Sequence, residues 1–145
     1  MADELVLIVD DNEMNLRLAR DVLRAAGFRT LEAASGGEAI AVATEQLPDV
    51  ILMDIRLPDI DGTEAARRLK DELRTAGIPI VALTSLAMKG DRESFLASGF
   101  DGYLEKPISV RDLPDQVRGF CGGSPFARDA PLSSGRRSAS ELPPA

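Results

Sequence analysis

Along the chain, short unbroken apolar runs alternate with longer stretches in which apolar residues recur every three or four positions. The runs Leu5 to Val9, Val50 to Met53 and Ile80 to Leu83 are too short for helices and rich in aliphatic side chains, so they read as buried strands. Phe28 to Ala33 and Gly102 to Glu105 carry a weaker form of the same signal. Between the first two strands, Leu16, Ala19, Leu23 and Ala26, joined by Leu18 and Val22, share one face of a helix capped by Asn12 and stopped by Gly27. Ser35-Gly36-Gly37-Glu38 is a capping box that opens a second helix, with Ala39, Val42, Ala43 and Leu47 inward. Gly62 and Thr63 open a third, with Ala65, Leu69 and Leu73 inward, Arg67, Arg68, Lys70, Asp71 and Glu72 outside, and a stop at Gly77. A fourth helix over 89–98 turns Phe95 and Leu96 inward and ends at Gly99. Ser109 caps a last one reaching about Phe120, short or slightly kinked because Pro114 falls early in it.

Strict strand–helix alternation predicts an α/β fold: a flavodoxin-like (βα)5 arrangement, doubly wound, with a five-stranded parallel sheet and helices on both faces. Parallel strands end on one edge, and the crevice beyond those ends is where ligands bind in such sheets. That edge carries Asp10, Asp11, Asp54, Thr84, Ser85 and Lys106.

Composition narrows the chemistry. The 145 residues suit one domain with a tail. The expected division is 1–121 for the domain and 122–145 for a disordered tail, where 12 of 24 residues are Gly, Pro or Ser and little apolar area is available to offset ordering entropy. No apolar run approaches the roughly 20 residues of a membrane span. Asp3 and Glu4 precede the first apolar run, so no signal peptide is expected, and the lone Cys121 cannot close an internal disulfide. The expected location is the cytoplasm. A net charge of −7, with Lys and Arg scattered among acids, argues against direct DNA binding. Histidine is absent, which excludes imidazole bases, imidazole metal ligands and a phosphohistidine formed on this chain.

Three acids in one cleft, Asp10, Asp11 and Asp54, repel one another unless a positive charge joins them. An all-oxygen set suits Mg²⁺ better than zinc or copper. Lys106 can meet a phosphate as a point charge, and the Thr84 hydroxyl can donate to a phosphoryl oxygen. A carboxylate, a cation, a lysine and a hydroxyl are the parts needed to form and hold an aspartyl phosphate.

Four stretches carry a resemblance: LVLIVDDNEMN (5–15), DVILMDIRLPDIDG (49–62), PIVALTS (79–85) and GYLEKPIS (102–109). Over about residues 4–120 the chain resembles the receiver domains of two-component response regulators. Residues 87–109 look most like single-domain regulators of the cell-division type and receivers attached to hybrid kinases. The resemblance implies that Asp54 is the phosphoacceptor, loaded from phosphohistidine on a sensor kinase or a phosphotransfer protein. It implies Mg²⁺ held by Asp11, Asp54 and the Arg56 backbone carbonyl, with Asp10 acting through water. Lys106 and Thr84 would contact the phosphoryl oxygens, Tyr103 would be the switch aromatic coupled to Thr84, and the Lys106-Pro107 bond would be cis. Arg56, Ser85 and Leu86 flank the phosphate and would tune its lifetime. Such a protein is a signalling switch, not an enzyme, catalysing only its own phosphorylation and dephosphorylation. Its downstream protein partner would bind the face made by the helix over 89–98, the last strand and the last helix.

Two other readings compete. Asp59-Ile60-Asp61-Gly62-Thr63 looks like the nucleophile motif of haloacid-dehalogenase-type phosphatases, although Arg56, Leu57 and Pro58 separate it from its strand. A flavodoxin-like nucleotide or flavin binder shares the fold but needs a phosphate-cradling loop, and neither GxxxxGK nor GxGxxG occurs.

Overall fold

Apolar runs become strands and periodic stretches become helices almost where the pattern places them. A computed structural model describes residues 4–84, 99–106 and 108–121. In chain order the elements are β1 (Leu5–Val9), α1 (Glu13–Ala25), β2 (Arg29–Ala33), α2 (Gly36–Gln46), β3 (Val50–Asp54), α3 (Gly62–Asp71), β4 (Ile80–Thr84), β5 (Gly102–Glu105) and α4 (Leu113–Cys121). The predicted helix over 89–98, Ser85, Leu86, Pro107 with its peptide bond, and the tail over 122–145 lie outside the described residues.

The strands form one parallel sheet in the order β2-β1-β3-β4-β5, so β3 lies at its centre. Val9 pairs with Met53 and Asp54 with Leu83, which brings the ends of β1, β3 and β4 level with one another. Alternate residues of each strand face opposite sides. Leu7, Val9, Ile51, Met53, Ile80 and Ala82 pack with Ala39 and Ala43 of α2 and Ala65, Ala66 and Leu69 of α3. Val6, Ile8, Val50, Leu52, Val81 and Leu83 pack on the other side with Leu16, Ala19 and Leu23 of α1 and Leu113, Val117 and Phe120 of α4. Both faces are therefore covered, as buried parallel sheets require. Each fully buried Leu or Ile contributes roughly 1.5–3 kcal/mol, enough to fix the strand ends as a rigid platform.

Several helix predictions need correction. Leu18 is exposed: the buried stripe of α1 is narrower than its apolar content, and Leu16, Ala19 and Leu23 alone are buried in it. Leu47 is not inward; α2 stops at Gln46, and Leu47 takes a left-handed conformation (φ 51°) as the helix cap before Pro48. Helix α3 ends at Asp71 rather than near Gly77, so Leu73 is 94% exposed in the turn that follows. The buried Thr75 hydroxyl donates to the Leu69 carbonyl at 2.6 Å and secures that turn. Lys70 is not an outward charge either: its ammonium donates to the Ala76 and Ile78 carbonyls and pairs with Asp101 at 3.0 Å. Ser109 does accept from the Asp112 N–H, but α4 begins only at Leu113, with Pro114 in its first turn.

Candidate functional site

Asp10 follows β1 directly, Asp54 is the last residue of β3, Thr84 the last of β4, and Lys106 follows β5. The fold thus gathers four of the predicted side chains at one edge of the sheet. Lys106 is tied in by its own N–H, which donates to the Thr84 carbonyl at 2.8 Å. Its ammonium reaches 3.1 Å from Asp10 Oδ2 and 3.2 Å from Asp54 Oδ2. One lysine therefore serves two buried acids.

The acids are held differently. Asp10, only 1% exposed, accepts from the Asn12 N–H on Oδ1 (2.9 Å) and from Asn15 Nδ2 on Oδ2 (3.2 Å). Asp54 receives the Arg56 N–H on Oδ1 at 3.2 Å. Asp11 is exposed. Oxygens of Asp10, Asp11 and Asp54 lie within 4.8 Å of one another.

Burial pushes the Asp54 carboxyl above its ordinary range, and the Asp10 charge adds to this; Lys106 and the Arg56 N–H oppose the shift without cancelling it. For Lys106, burial disfavours the ammonium, but hydrogen bonding and attraction from Asp10, then attraction from Asp54, outweigh it and hold the net shift upward. The cluster remains short of positive charge. Its donor set is hard, acceptor-only oxygen with one exposed member, in a sequence without histidine, and this chemistry fits Mg²⁺.

Thr84 is 8% exposed at the tip of β4, the strand that flanks Asp54. Tyr103 lies on β5 opposite Ala82, half-buried against the cluster formed with α2 and α3. The Arg56 side chain is exposed, and its backbone N–H grips Asp54. Asp59, the acid of the phosphatase-like motif, points away from this cluster in function: its carboxylate accepts from the N–H groups of Gly36 and Gly37 at the start of α2.

Asn15 and the Asn12 amide are participants that the sequence reading passed over. Asn15 sits one helical turn after Asp11 at the start of α1, a position from which a side chain can reach back over the strand tip. The position of a polar amide there was the available signal.

Comparison with known proteins accords with this geometry. The response regulator receiver domain model matches residues 6–118. Over 117 residues the chain is 44% identical to the polar-differentiation response regulator DivK of Brucella ovis, a match covering 81% of this chain and 95% of that protein. Among solved structures, a response regulator from Chloroflexus aurantiacus superimposes with a TM-score of 0.78 at 32% identity, covering 83% of this chain and 98% of that one. The receiver domain of the sensor histidine kinase PA1611 of Pseudomonas aeruginosa, determined with a magnesium ion coordinated in its active-site cleft, superimposes with a TM-score of 0.76 at 37% identity, again covering 83% and 98%. With its parallel sheet, clustered strand-end acids and shared lysine, the chain belongs to the response regulator receiver domain family.

Proposed function

We propose that this receiver domain, taken as residues 1–121, is a phosphoacceptor switch in which Asp54 takes a phosphoryl group from a phosphohistidine on a sensor kinase or phosphotransfer protein. In the transfer an Asp54 oxygen bonds to phosphorus, the phosphorus–nitrogen bond of the donor breaks, and the donor imidazole leaves with that electron pair. The observation that carries the reading is Lys106: one ammonium within 3.2 Å of both Asp10 and Asp54 keeps a buried carboxylate usable as a nucleophile and meets the incoming phosphoryl oxygens.

Asp11, Asp54 and the Arg56 carbonyl are the residues to hold Mg²⁺, with Asp10 acting through water. When bound, that cation supplies the positive charge the acid cluster lacks and offsets charge building up on the phosphoryl oxygens. Asp10 orients Lys106 and is itself fixed by Asn12 and Asn15. The Arg56 N–H turns the Asp54 carboxylate. The Thr84 hydroxyl donates to a phosphoryl oxygen, and its movement toward the phosphate draws Tyr103 inward. The output is a changed protein-binding face around β5 and α4, where a cavity of about 310 Å³ is lined by Tyr103, Glu105, Ile108, Leu113 and Gln116. Switching such a face from about 1:99 to 99:1 needs roughly 5.5 kcal/mol, within reach of a few charge-assisted contacts. The setting is the cytoplasm, and the partner is a protein rather than DNA.

The test is intact-mass measurement after incubation with acetyl phosphate, with and without Mg²⁺. Wild type is expected to gain one phosphoryl group only with Mg²⁺, and Asp54→Ala none; equal labelling of both removes Asp54 from the role.

A further inference from the structure

The loop after β3 is pinned by a carboxylate for which phosphoryl transfer has no use. Asp59 Oδ1 accepts from the Gly36 N–H and Oδ2 from the Gly37 N–H, each at 2.8 Å. These are the first two N–H groups of α2, whose next N–H, that of Glu38, is taken by the Ser35 hydroxyl. Apolar contact reinforces the seam. A Cβ added at Gly36 would fall 2.5 Å from Ile60 Cγ1, so any larger residue there would force the Ile60 side chain to shift. The far end of the loop closes on itself, the Gly62 N–H donating to the Ile55 carbonyl at 2.8 Å, and a Cβ at Gly62 would collide with the Asp54 carbonyl oxygen.

Arg56 lies between these fixed points, and its N–H is the backbone group that holds Asp54 Oδ1. A loop released from α2 would carry that amide off the carboxylate. We propose that Asp59 is a positioning residue: by anchoring loop 55–61 to the first turn of α2, it keeps the Arg56 amide on Asp54 and thereby sets how tightly the acid cluster binds a divalent cation. This rests on the reading of Asp54 as the phosphoacceptor.

Aspartate suits the task because two adjacent N–H donors need two acceptor oxygens. Asparagine offers one oxygen and would turn an NH₂ toward the other donor. A negative charge at a helix N-terminus is favoured as well. In keeping with this, the Gly37 and Gly36 N–H groups hold the Asp59 carboxyl below its ordinary range.

The experiment uses the full chain as wild type, Asp59→Ala, Asp59→Asn and Gly37→Ala, with Mg²⁺ alone titrated by calorimetry and thermal unfolding followed in parallel. Removing a group that orients a metal ligand commonly costs 10–100-fold in affinity, so Asp59→Ala is expected to weaken Mg²⁺ binding by about tenfold and Asp59→Asn by less. In acetyl phosphate labelling, half-saturation in Mg²⁺ should rise by the same factor while the rate at saturating Mg²⁺ changes little. Gly37→Ala keeps its N–H and favours the helix, but sets a Cβ 3.2 Å from Asp59 Oδ2. It is expected to weaken Mg²⁺ binding in the same direction, which a role confined to folding would not produce. Wild-type Mg²⁺ affinity, within twofold, in the folded variants overturns the proposal. If Asp59→Ala does not fold, Asp59→Asn and Gly37→Ala decide it. Labelling of Asp54→Ala would defeat the underlying reading, and the Mg²⁺ titrations would still decide the role of Asp59.

Discussion

The tip of β3 and the loop that follows it each present an aspartate, at positions 54 and 59, and their surroundings are opposite. Asp54 is buried, shares its lysine with Asp10, and has its carboxyl pushed upward. Asp59 is exposed, fully matched by two backbone N–H groups, and has its carboxyl held down. A carboxylate satisfied by fixed donors is a structural tie; one left short of positive charge is a place for chemistry. The phosphatase-like motif around Asp59 therefore spends its leading acid on capping a helix.

The largest expected disturbance of this contrast comes from Lys106→Met. It strips the shared ammonium from two buried carboxylates, and breaking a buried pair of this kind costs about 3 kcal/mol. Chemical denaturation without Mg²⁺ should show that loss, together with abolished labelling by acetyl phosphate; wild-type stability would mean the lysine is not the counter-charge.

Asn substitutions at the two aspartates should move stability in opposite directions. The folded-state pKa of Asp54 is raised, so its ionisation penalises the folded chain increasingly as pH climbs from below 3.8 through that raised value. Asp54→Asn removes the penalty and, in Mg²⁺-free buffer at neutral pH, should stabilise by about 1 kcal/mol, roughly 4 °C in Tm. The gain should vanish in acid. The folded-state pKa of Asp59 is lowered, so its stabilisation is present above 3.8 and is lost as pH falls through the lower folded value. Asp59→Asn should therefore lower the Tm modestly at neutral pH, with the difference closing in acid. Thermal scans across pH read both, and shifts of equal sign would erase the contrast.

Much of this was legible in the sequence, for reasons particular residues make plain. Four apolar strand residues running into Asp54, and five into Asp10, left few alternatives to parallel strands ending on acids. Strand ends converge once the sheet is parallel, so Lys106 could be placed beside Asp10 and Asp54 without coordinates. Helix limits were harder. Leu47 and Leu73 are apolar residues at helical spacing whose helices had already ended, one at a left-handed cap and one in a turn held by Thr75. Leu18 shows that apolar identity alone does not bury a side chain. The Asp59 tie joins residues 22 and 23 positions apart through backbone N–H groups, and side-chain types carry no record of such a bond. The capping box Ser35-Gly36-Gly37-Glu38 was visible in the sequence; the acid that takes the Gly36 and Gly37 N–H groups was not.

The most direct measurement is chemical trapping of the phosphorylated residue. After acetyl phosphate treatment with Mg²⁺, borohydride reduces an acyl phosphate to the alcohol, and peptide mass mapping then locates the converted side chain. Homoserine is expected at position 54 alone. Conversion at position 59, or at 10 or 11, with position 54 untouched would contradict Asp54 as the acceptor.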